Sequence, residues 1–308
     1  MVTPVFIISL PRSGSTLLQK ILTVHDAIHS VNETWLLLPL AHMLDSAGTY
    51  TRYNQRWAAM ALNNFVEMLP NKKRDYVECV RDFSLSLYQK TIDDHKVKFF
   101  LDKTPRYFLI IRFLHEVFPD AKFIFLLRNP LDVISSILMT WKRNRFDLFR
   151  YYLDIFKGPE LLTAGYNFLK KTSIKIHYEK LVTDPESEII RICDYLKVEY
   201  NNKMTINYKD ISLNGEFGDS TGINQYDKIS NVSIDKWKIA LNTIYRKKFA
   251  VNYIENLEDD ILETYNLSKH HMISQISKIN TQNKIGIKDV FWHLHSLAKQ
   301  SIITWLIG

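Results

Sequence analysis

The sequence predicts an α/β protein with a central parallel sheet flanked by helices. Three observations carry that prediction. Short, nearly unbroken apolar runs recur along the chain: Val5–Ser9, Lys98–Asp102, Ala121–Arg128 and Ser173–Tyr178. Runs of that length without polar alternation suit strands buried on both faces. Stretches with helical spacing separate them, so strands and helices alternate. Finally, the 308 residues are 46% hydrophobic and 24% charged, with 9 Gly and 9 Pro. That composition can bury one large core, and it argues against long disordered segments.

The elements follow in order. Val5–Ser9 is a buried strand, and Ser15–Val24 resumes as a helix with Leu17, Leu18, Ile21 and Leu22. A short second strand precedes Glu33. Residues 34–48, 54–69 and 75–93 have helical spacing, with Trp35, Leu38, Trp57, Leu62 and Phe65 as expected core. Lys98–Asp102 is the next strand, and Pro105 opens a turn and a helix to about Phe118. Ala121–Arg128 is the clearest strand. Pro130 starts the helix after it, where its missing N–H is harmless. Residues 146–171 look helical, residues 173–178 form a strand, and Asp184-Pro185 opens a further helix. Residues 201–232, rich in Asn, Asp, Gly and Ser, read as one long loop, and loops of that length tend to be functional.

In such a sheet, ligands bind beyond the carboxyl ends of the strands. The first strand runs into Pro11-Arg12-Ser13-Gly14-Ser15-Thr16, directly before a helix. Amides at a helix start attract an anion. This is not the nucleotide-triphosphatase loop, which needs a lysine where Ser15 stands. Arg12 can grip a tetrahedral oxyanion with two nitrogens. Ser15 and Thr16 can add hydroxyl donors. A triphosphatase also typically ends a later strand with an Asp that helps hold Mg²⁺. Here that strand ends with Arg128, which attracts a second anion. Ser136, two helical turns on, reaches the same place only if the intervening loop folds back. Two anion sites on one sheet edge suggest a nucleotide with phosphates at two ends.

"PRSGSTLL" together with "LLRNPLDVISS" resembles the sulfotransferases that use 3′-phosphoadenosine 5′-phosphosulfate (PAPS), a family of P-loop nucleotide-hydrolase-like fold. The resemblance extends from about residue 3 to residue 245. It implies that Arg12, Ser13, Gly14, Ser15 and Thr16 hold the 5′-phosphosulfate. Arg128 and Ser136 would hold the 3′-phosphate, and Tyr178 would lie near the nucleotide. Glu33 in "NETW" matches a catalytic Glu-Thr of the branch that contains tyrosylprotein and many bacterial sulfotransferases, which makes it the general base on an acceptor hydroxyl. Lys103 matches a lysine near the bridging oxygen. Arg12 joins Glu33 and Lys103 in the catalytic set. The late segment "GDSTGINQYDKISNVSIDKWK" resembles one that closes over the nucleotide, with Ser230, Ser233 and Lys236 as candidates. Trp35 stands where the tyrosylprotein branch has an arginine, which argues against an acidic peptide acceptor.

The implied activity is transfer of a sulfuryl group from PAPS to a hydroxyl of a carbohydrate, lipid or small-molecule acceptor. The product is 3′-phosphoadenosine 5′-phosphate (PAP), and no metal is needed. The residues alone leave a P-loop kinase of a small alcohol and a non-catalytic nucleotide-binding module open. His29 and His177 are weaker candidates for the base. His25 reads as a helix-terminus residue. The net charge of +7 favours anionic ligands. No zinc-finger, RNA-binding or helix-turn-helix signature points to nucleic acid. Cys79 and Cys193 give no disulfide framework and read as buried filler in a reducing, cytoplasmic setting. Residues 1–270 are expected to form the sulfotransferase domain and 271–308 a helical extension. In that tail Val290, Phe291, Leu294, Leu297, Ile302, Trp305 and Leu306 form an apolar stripe. It would dock on its own domain, pair with a second copy, or rest peripherally on a membrane.

Overall fold

The computed structural model of the chain describes residues 2–45, 49, 51–215, 229–281 and 284–307, with side chains as far as residue 297. Five strands, β1 (Thr3–Ser9), β2 (Ile28–Ser30), β3 (Phe99–Asp102), β4 (Lys122–Leu127) and β5 (Ser173–His177), form one sheet in the order β2-β3-β1-β4-β5. Every pairing is parallel. Parallel neighbours need crossovers, and the helices supply them. The order places β1 in the centre, with β3 on one side and β4 on the other. This is the switch point at which an open parallel sheet leaves a crevice.

The helices are α1 (Ser15–Thr23), α2 (Leu37–Ala41), α3 (Gln55–Glu67), α4 (Lys73–Lys90), α5 (Ile111–Val117), α6 (Pro130–Thr140), α7 (Gly158–Leu169), α8 (Tyr178–Thr183) and α9 (Pro185–Leu196). They continue with α10 (Lys203–Ile206), α11 (Trp237–Ala240), α12 (Ile244–Glu255), α13 (Asp259–Thr264), α14 (Lys269–Ser277) and α15 (Ile287–Ile307). Successive strand side chains point to opposite faces. On β1, Val5 and Ile7 therefore join Leu18, Ile21, Leu22, Ile124 and Ile176 in one core layer. Phe6 and Ile8 join Phe123, Phe125 and helices α5, α6, α7 and α12 in the other. Each fully buried Leu, Ile or Phe contributes roughly 1.5–3 kcal/mol.

Caps fix where the crossover helices start. Asn129 accepts from the Leu131 amide ahead of α6, and Asp184 from the Ser187 amide ahead of α9. Pro130 and Pro185 sit in the first turns, as the sequence predicts. The stretch read as helix from residue 146 is broken: a 3-10 turn covers Phe149–Tyr151 and a π-helical segment covers Leu153–Lys157 before α7 begins.

Several expectations change. Residues 201–232 are not simply a loop, since α10 and a 3-10 turn at Asn207–Lys209 lie within them. Residues 216–228 of that stretch lie outside the described residues. Leu38 is buried as expected, but Trp35, Trp57 and Phe65 are exposed; Ala59 and Val66 hold α3 to the body instead. Cys193 is buried filler, and burial pushes its thiol up to about 11, whereas Cys79 is exposed. The expected boundary at residue 270 falls at the start of α14, whose Met272 and Ile276 share a core with Ile254 and Ile261.

α15 is helical as predicted; of its apolar stripe, Val290 and Leu297 are half-buried. Phe291 and Leu294 are exposed. Among its described side chains, Asp289 and Ser296 are buried. Asp289 accepts from Arg246 at 2.7 Å and from Thr243 at 2.9 Å, and the Ser296 hydroxyl accepts from the Phe149 amide. The side chains of Ile302, Trp305 and Leu306 lie outside the described residues. Among the described residues, no helix is long and apolar enough to cross a membrane.

Candidate active site

The carboxyl ends of β1, β3, β4 and β5 bring most of the predicted residues to one edge. β1 ends at Ser9, opposite Leu126 of β4. The chain then turns through Arg12 (φ 68°) and Gly14 (φ 88°) into α1. Gly14 is required twice over. Its φ favours a residue without Cβ, and a Cβ there would lie 2.4 Å from ring carbons of Tyr178. Ser13 and Ser15 are buried, and Thr16 is half-buried. The Ser13 hydroxyl has no hydrogen-bond partner among the described residues.

Tyr178 is the first residue of α8, immediately after β5. The Arg128 guanidinium lies 4.4 Å from its ring centroid, within cation–π range. The Tyr178 hydroxyl pairs with the Ser233 hydroxyl at 2.5 Å. Buried Arg128 donates to the Arg12 carbonyl at 2.7 Å and to the Ser233 carbonyl at 2.8 Å. Its Nε is buried without a hydrogen-bond partner among the described residues. Arg12 donates from Nε to Ser136 at 3.1 Å and from Nη2 to Thr140 at 3.3 Å. The loop after β4 therefore does bring Ser136 back to the edge, and Arg12 joins the two expected anion sites. In the late segment Ser233 reaches the site, while Ser230 caps the local turn by accepting from the Val232 amide. Residues 218–228 of that segment lie outside the described residues.

Glu33 and Lys103 meet between β2 and β3. Lys103 Nζ donates to Glu33 Oε1 at 2.7 Å, with side chains 2% and 11% exposed. The Trp35 indole donates to Glu33 Oε2 at 3.1 Å. Both carboxylate oxygens are thus held. Trp35 has φ 52°, a strained conformation for a bulky residue. Asn32, next to Glu33, donates from its backbone to the Asn214 carbonyl at 2.8 Å and from its side chain to the Leu213 carbonyl at 3.2 Å.

The histidines lie apart from this pair. His29 faces the Phe100 ring, and burial lowers its pKa. His177 is lowered to about 4 by burial and by Lys175, Lys180 and Arg191. His25 closes the end of α1: its Nδ1 accepts from the Ala27 amide, and its other ring nitrogen lies 3.0 Å from the Glu199 carbonyl.

Two acids at the site escaped the sequence reading. Asp132 accepts from the amides of Asp235 and Trp237 at 3.1 and 3.2 Å and so holds the late segment to α6. Burial raises its carboxyl to about 6 although Arg128 is near. Glu179 accepts from the Asn129 amide at 2.8 Å. Asp132 follows the Asn-Pro helix start, where an acid reads as an ordinary first-turn residue.

The edge therefore offers an oxyanion cradle at the start of α1, a second cationic cluster, and a carboxylate–ammonium pair. The sulfotransferase-family profile matches residues 4–202 of the chain. This chain belongs to the sulfotransferase family. Among its relatives is nodulation protein NoeE of Sinorhizobium fredii (strain NGR234), 32% identical over 136 residues, which are 44% of this chain and 31% of NoeE. The chain thus spans about a third of that relative. A putative protein-tyrosine sulfotransferase of Caenorhabditis briggsae is 23% identical over 219 residues, covering 70% of this chain and 72% of that one. The crystallised sulfotransferase domain from the curacin biosynthetic pathway superposes with a TM-score of 0.53 at 20% identity, over 90% of this chain and 98% of that domain. This likeness places the chain in the P-loop-like fold.

Proposed function

We propose that this sulfotransferase moves a sulfuryl group from PAPS to a hydroxyl of a carbohydrate, lipid or small-molecule acceptor. The observation that carries the reading is the Glu33–Lys103 contact at the same sheet edge as the Gly14 loop. The residues fit the donor. The orphaned Ser13 hydroxyl and Arg128 Nε are buried donors without an acceptor among the described residues, and Gly14 lets the loop take its positive φ with Tyr178 packed against it. When bound, PAPS supplies an activated sulfuryl group on a phosphate leaving group.

Glu33 takes the proton of the acceptor hydroxyl as its oxygen bonds to sulfur and the bond from sulfur to the bridging oxygen breaks. A positioned base of this kind contributes roughly 10²–10⁴-fold. Lys103 would supply positive charge to the phosphate oxygen on which charge develops as that bond breaks. Ser13, Gly14, Ser15 and Thr16 hold the 5′-phosphosulfate. Arg12 joins them at the 5′ end, and Arg128 and Ser136 hold the 3′-phosphate end, with Tyr178 and Ser233 behind them. The exposed Ile287, Phe291 and Leu294 of α15 are proposed as a contact to a membrane or a second copy, which liposome co-sedimentation and gel filtration would separate.

Thermal unfolding with PAP, without metal, tests the donor assignment. A ligand that binds only the folded state stabilises it by mass action. PAP should raise the melting temperature, and ATP with Mg²⁺ should not match it. Arg128→Ala should weaken PAP far more than its 3′-dephosphorylated analogue. Equal losses for both ligands would remove Arg128 from the 3′-phosphate.

A further inference from the structure

Beneath the Glu33–Lys103 pair lies a buried carboxylate that ties both residues to one point. Asp102, the last residue of β3, is 1% exposed. Its Oδ2 accepts from the hydroxyls of Tyr88 at 2.7 Å, Thr34 at 2.9 Å and Tyr107 at 3.0 Å, and its Oδ1 from Thr104 at 3.2 Å. These are four donors, and an ionised carboxylate, which only accepts, satisfies them all. Three of the hydroxyls pass the connection on. Thr104 accepts from the Trp35 amide, Thr34 from the Leu36 amide and Tyr107 from the Leu37 amide, each at 3.3 Å. These consecutive amides lead into α2, whose first backbone donors lack partners within the helix.

The neighbours in sequence matter as much. Thr34 follows Glu33, while Asp102 and Thr104 flank Lys103. The same shell holds the Trp35 backbone in its left-handed conformation, from which the indole reaches Glu33. Such strain persists only where its surroundings over-determine it.

We propose that Asp102 is a positioning residue that fixes Glu33 against Lys103 through its shell of Thr34, Thr104 and Tyr107 hydroxyls. It rests on the proposed roles of Glu33 and Lys103. It touches neither the donor loop nor Arg128, so its action is confined to the reacting end. An Asn at this place would present an N–H₂ where hydroxyls now donate, so the four donors could no longer all be satisfied.

The test compares Asp102→Asn, Glu33→Gln and the double variant. Turnover is read with radiolabelled PAPS and a probe set of phenol, octanol and N-acetylglucosamine. PAP affinity is read by calorimetry, and the Trp35 indole N–H by NMR, assigned with Trp35→Phe. Asp102→Asn should lower turnover about 10- to 100-fold, leave PAP affinity within about threefold, and add less than about threefold in the Glu33→Gln background, since residues acting as one unit are not additive. The indole resonance should move in Asp102→Asn as it does in Glu33→Gln. An unmoved resonance, multiplied losses in the double variant, or PAP affinity falling in step with turnover would overturn the proposal.

If Asp102→Asn does not fold, Tyr107→Phe keeps the carboxylate and cuts the relay to Leu37. It should lose about three- to tenfold in turnover and move the indole resonance, because one neutral relay is removed. Wild-type behaviour on both readouts would sink the idea. A wild type that binds no PAP would defeat the proposed function alone, and the resonance would still decide the role of Asp102.

Discussion

The sheet edge and the helical excursion between β2 and β3 are built on different terms. At the edge, several long side chains are held at more than one point. Arg128 is fixed by two carbonyls and a ring, Tyr178 by Gly14, Arg128 and Ser233, and Glu33 by Lys103 and Trp35. In the excursion, α3 keeps Gln55, Ala59 and Val66 inside, while Trp57, Met60, Phe65 and Met68 face outward. The comparison teaches that apolar character places a residue in a parallel strand but not on a peripheral helix. A strand inside this sheet is covered on both faces, so the apolar positions of β1, β3 and β4 are buried, while Ile174 on the edge strand β5 is half-buried. A peripheral helix covers one face, and its apolar residues can lie on the other.

The largest effect should come from the carboxylate–ammonium pair. Glu33→Gln is expected to keep PAP affinity and to lose roughly 10²–10⁴ in turnover, the span of a general base. Lys103→Met should lose a comparable factor, roughly 10²–10³, as for other groups that stabilise developing charge. Turnover at the wild-type rate in Glu33→Gln would shift the base to another residue. His177, neutral above about pH 4, would be the first to try.

Gly14→Ala should come next. The added methyl meets the Tyr178 ring at 2.4 Å, and that ring cannot swing away without breaking its Ser233 contact and leaving Arg128. The φ of 88° adds strain. Together these should lower stability by roughly 1–3 kcal/mol and weaken PAP about tenfold or more, since 1.4 kcal/mol is a factor of ten in affinity. Urea unfolding and PAP titration read the two effects separately. Alanine at Gly165, whose Cβ would meet only the movable Ile111 side chain, is the control for a purely steric loss.

How much of this was legible in the sequence follows from the same contrast. The strands, the α1 loop and the strand-end Arg128 are local signals, set by continuous apolar runs and by Gly and Pro. The Glu33–Lys103 meeting is not local: 70 positions separate the two residues, and only the β2–β3 pairing brings them together. Trp35 was read as core because large aromatics usually are. Its left-handed backbone, and with it the turn towards Glu33, has no sequence signature. The polar anchoring of α15 has no sequence signature for a related reason. Its anchor is the buried ion pair of Asp289 with Arg246, and a polar anchor is invisible to an apolar stripe.

Asp132 gives a smaller, pH-dependent effect at the edge. Its carboxyl is raised to about 6 in the fold, from an ordinary value near 3.8. The folded state therefore binds more protons between those values, and stability contributed by this group falls as pH rises from about 4 to about 6. The full span is roughly 2–3 kcal/mol. His177 acts in the opposite sense. Its folded pKa of about 4 lies below the unfolded value of 6.5, so stability from His177 rises with pH through that window. In Asp132→Asn the first slope should vanish and the second remain. Stability against pH should then climb more steeply than in the wild type between pH 4 and 6. Parallel profiles would mean that Asp132 titrates as an ordinary acid.

The smallest effect tests the excursion itself. Trp57 is 72% exposed, and its backbone amide, not its indole, is what the Asn54 cap holds. Val66, on the same helix, is 3% exposed. If the outward face of α3 meets water, Trp57→Ser should change stability by no more than about 0.5 kcal/mol, as for other surface substitutions. Val66→Ala should cost roughly 1–3 kcal/mol, because it opens a gap in packed surroundings. Neither change removes the Asn54 side chain or a backbone group at the helix ends, and propensity differences are only tenths of a kcal/mol, so the difference reports mainly burial. The measurement is urea unfolding of the two variants at low protein concentration, repeated at high concentration. A Trp57→Ser loss equal to that of Val66→Ala would mean that the face is covered in solution. A loss that grows with concentration would name a second copy of the chain as the cover, and α3 would then belong with the sheet edge as a built surface.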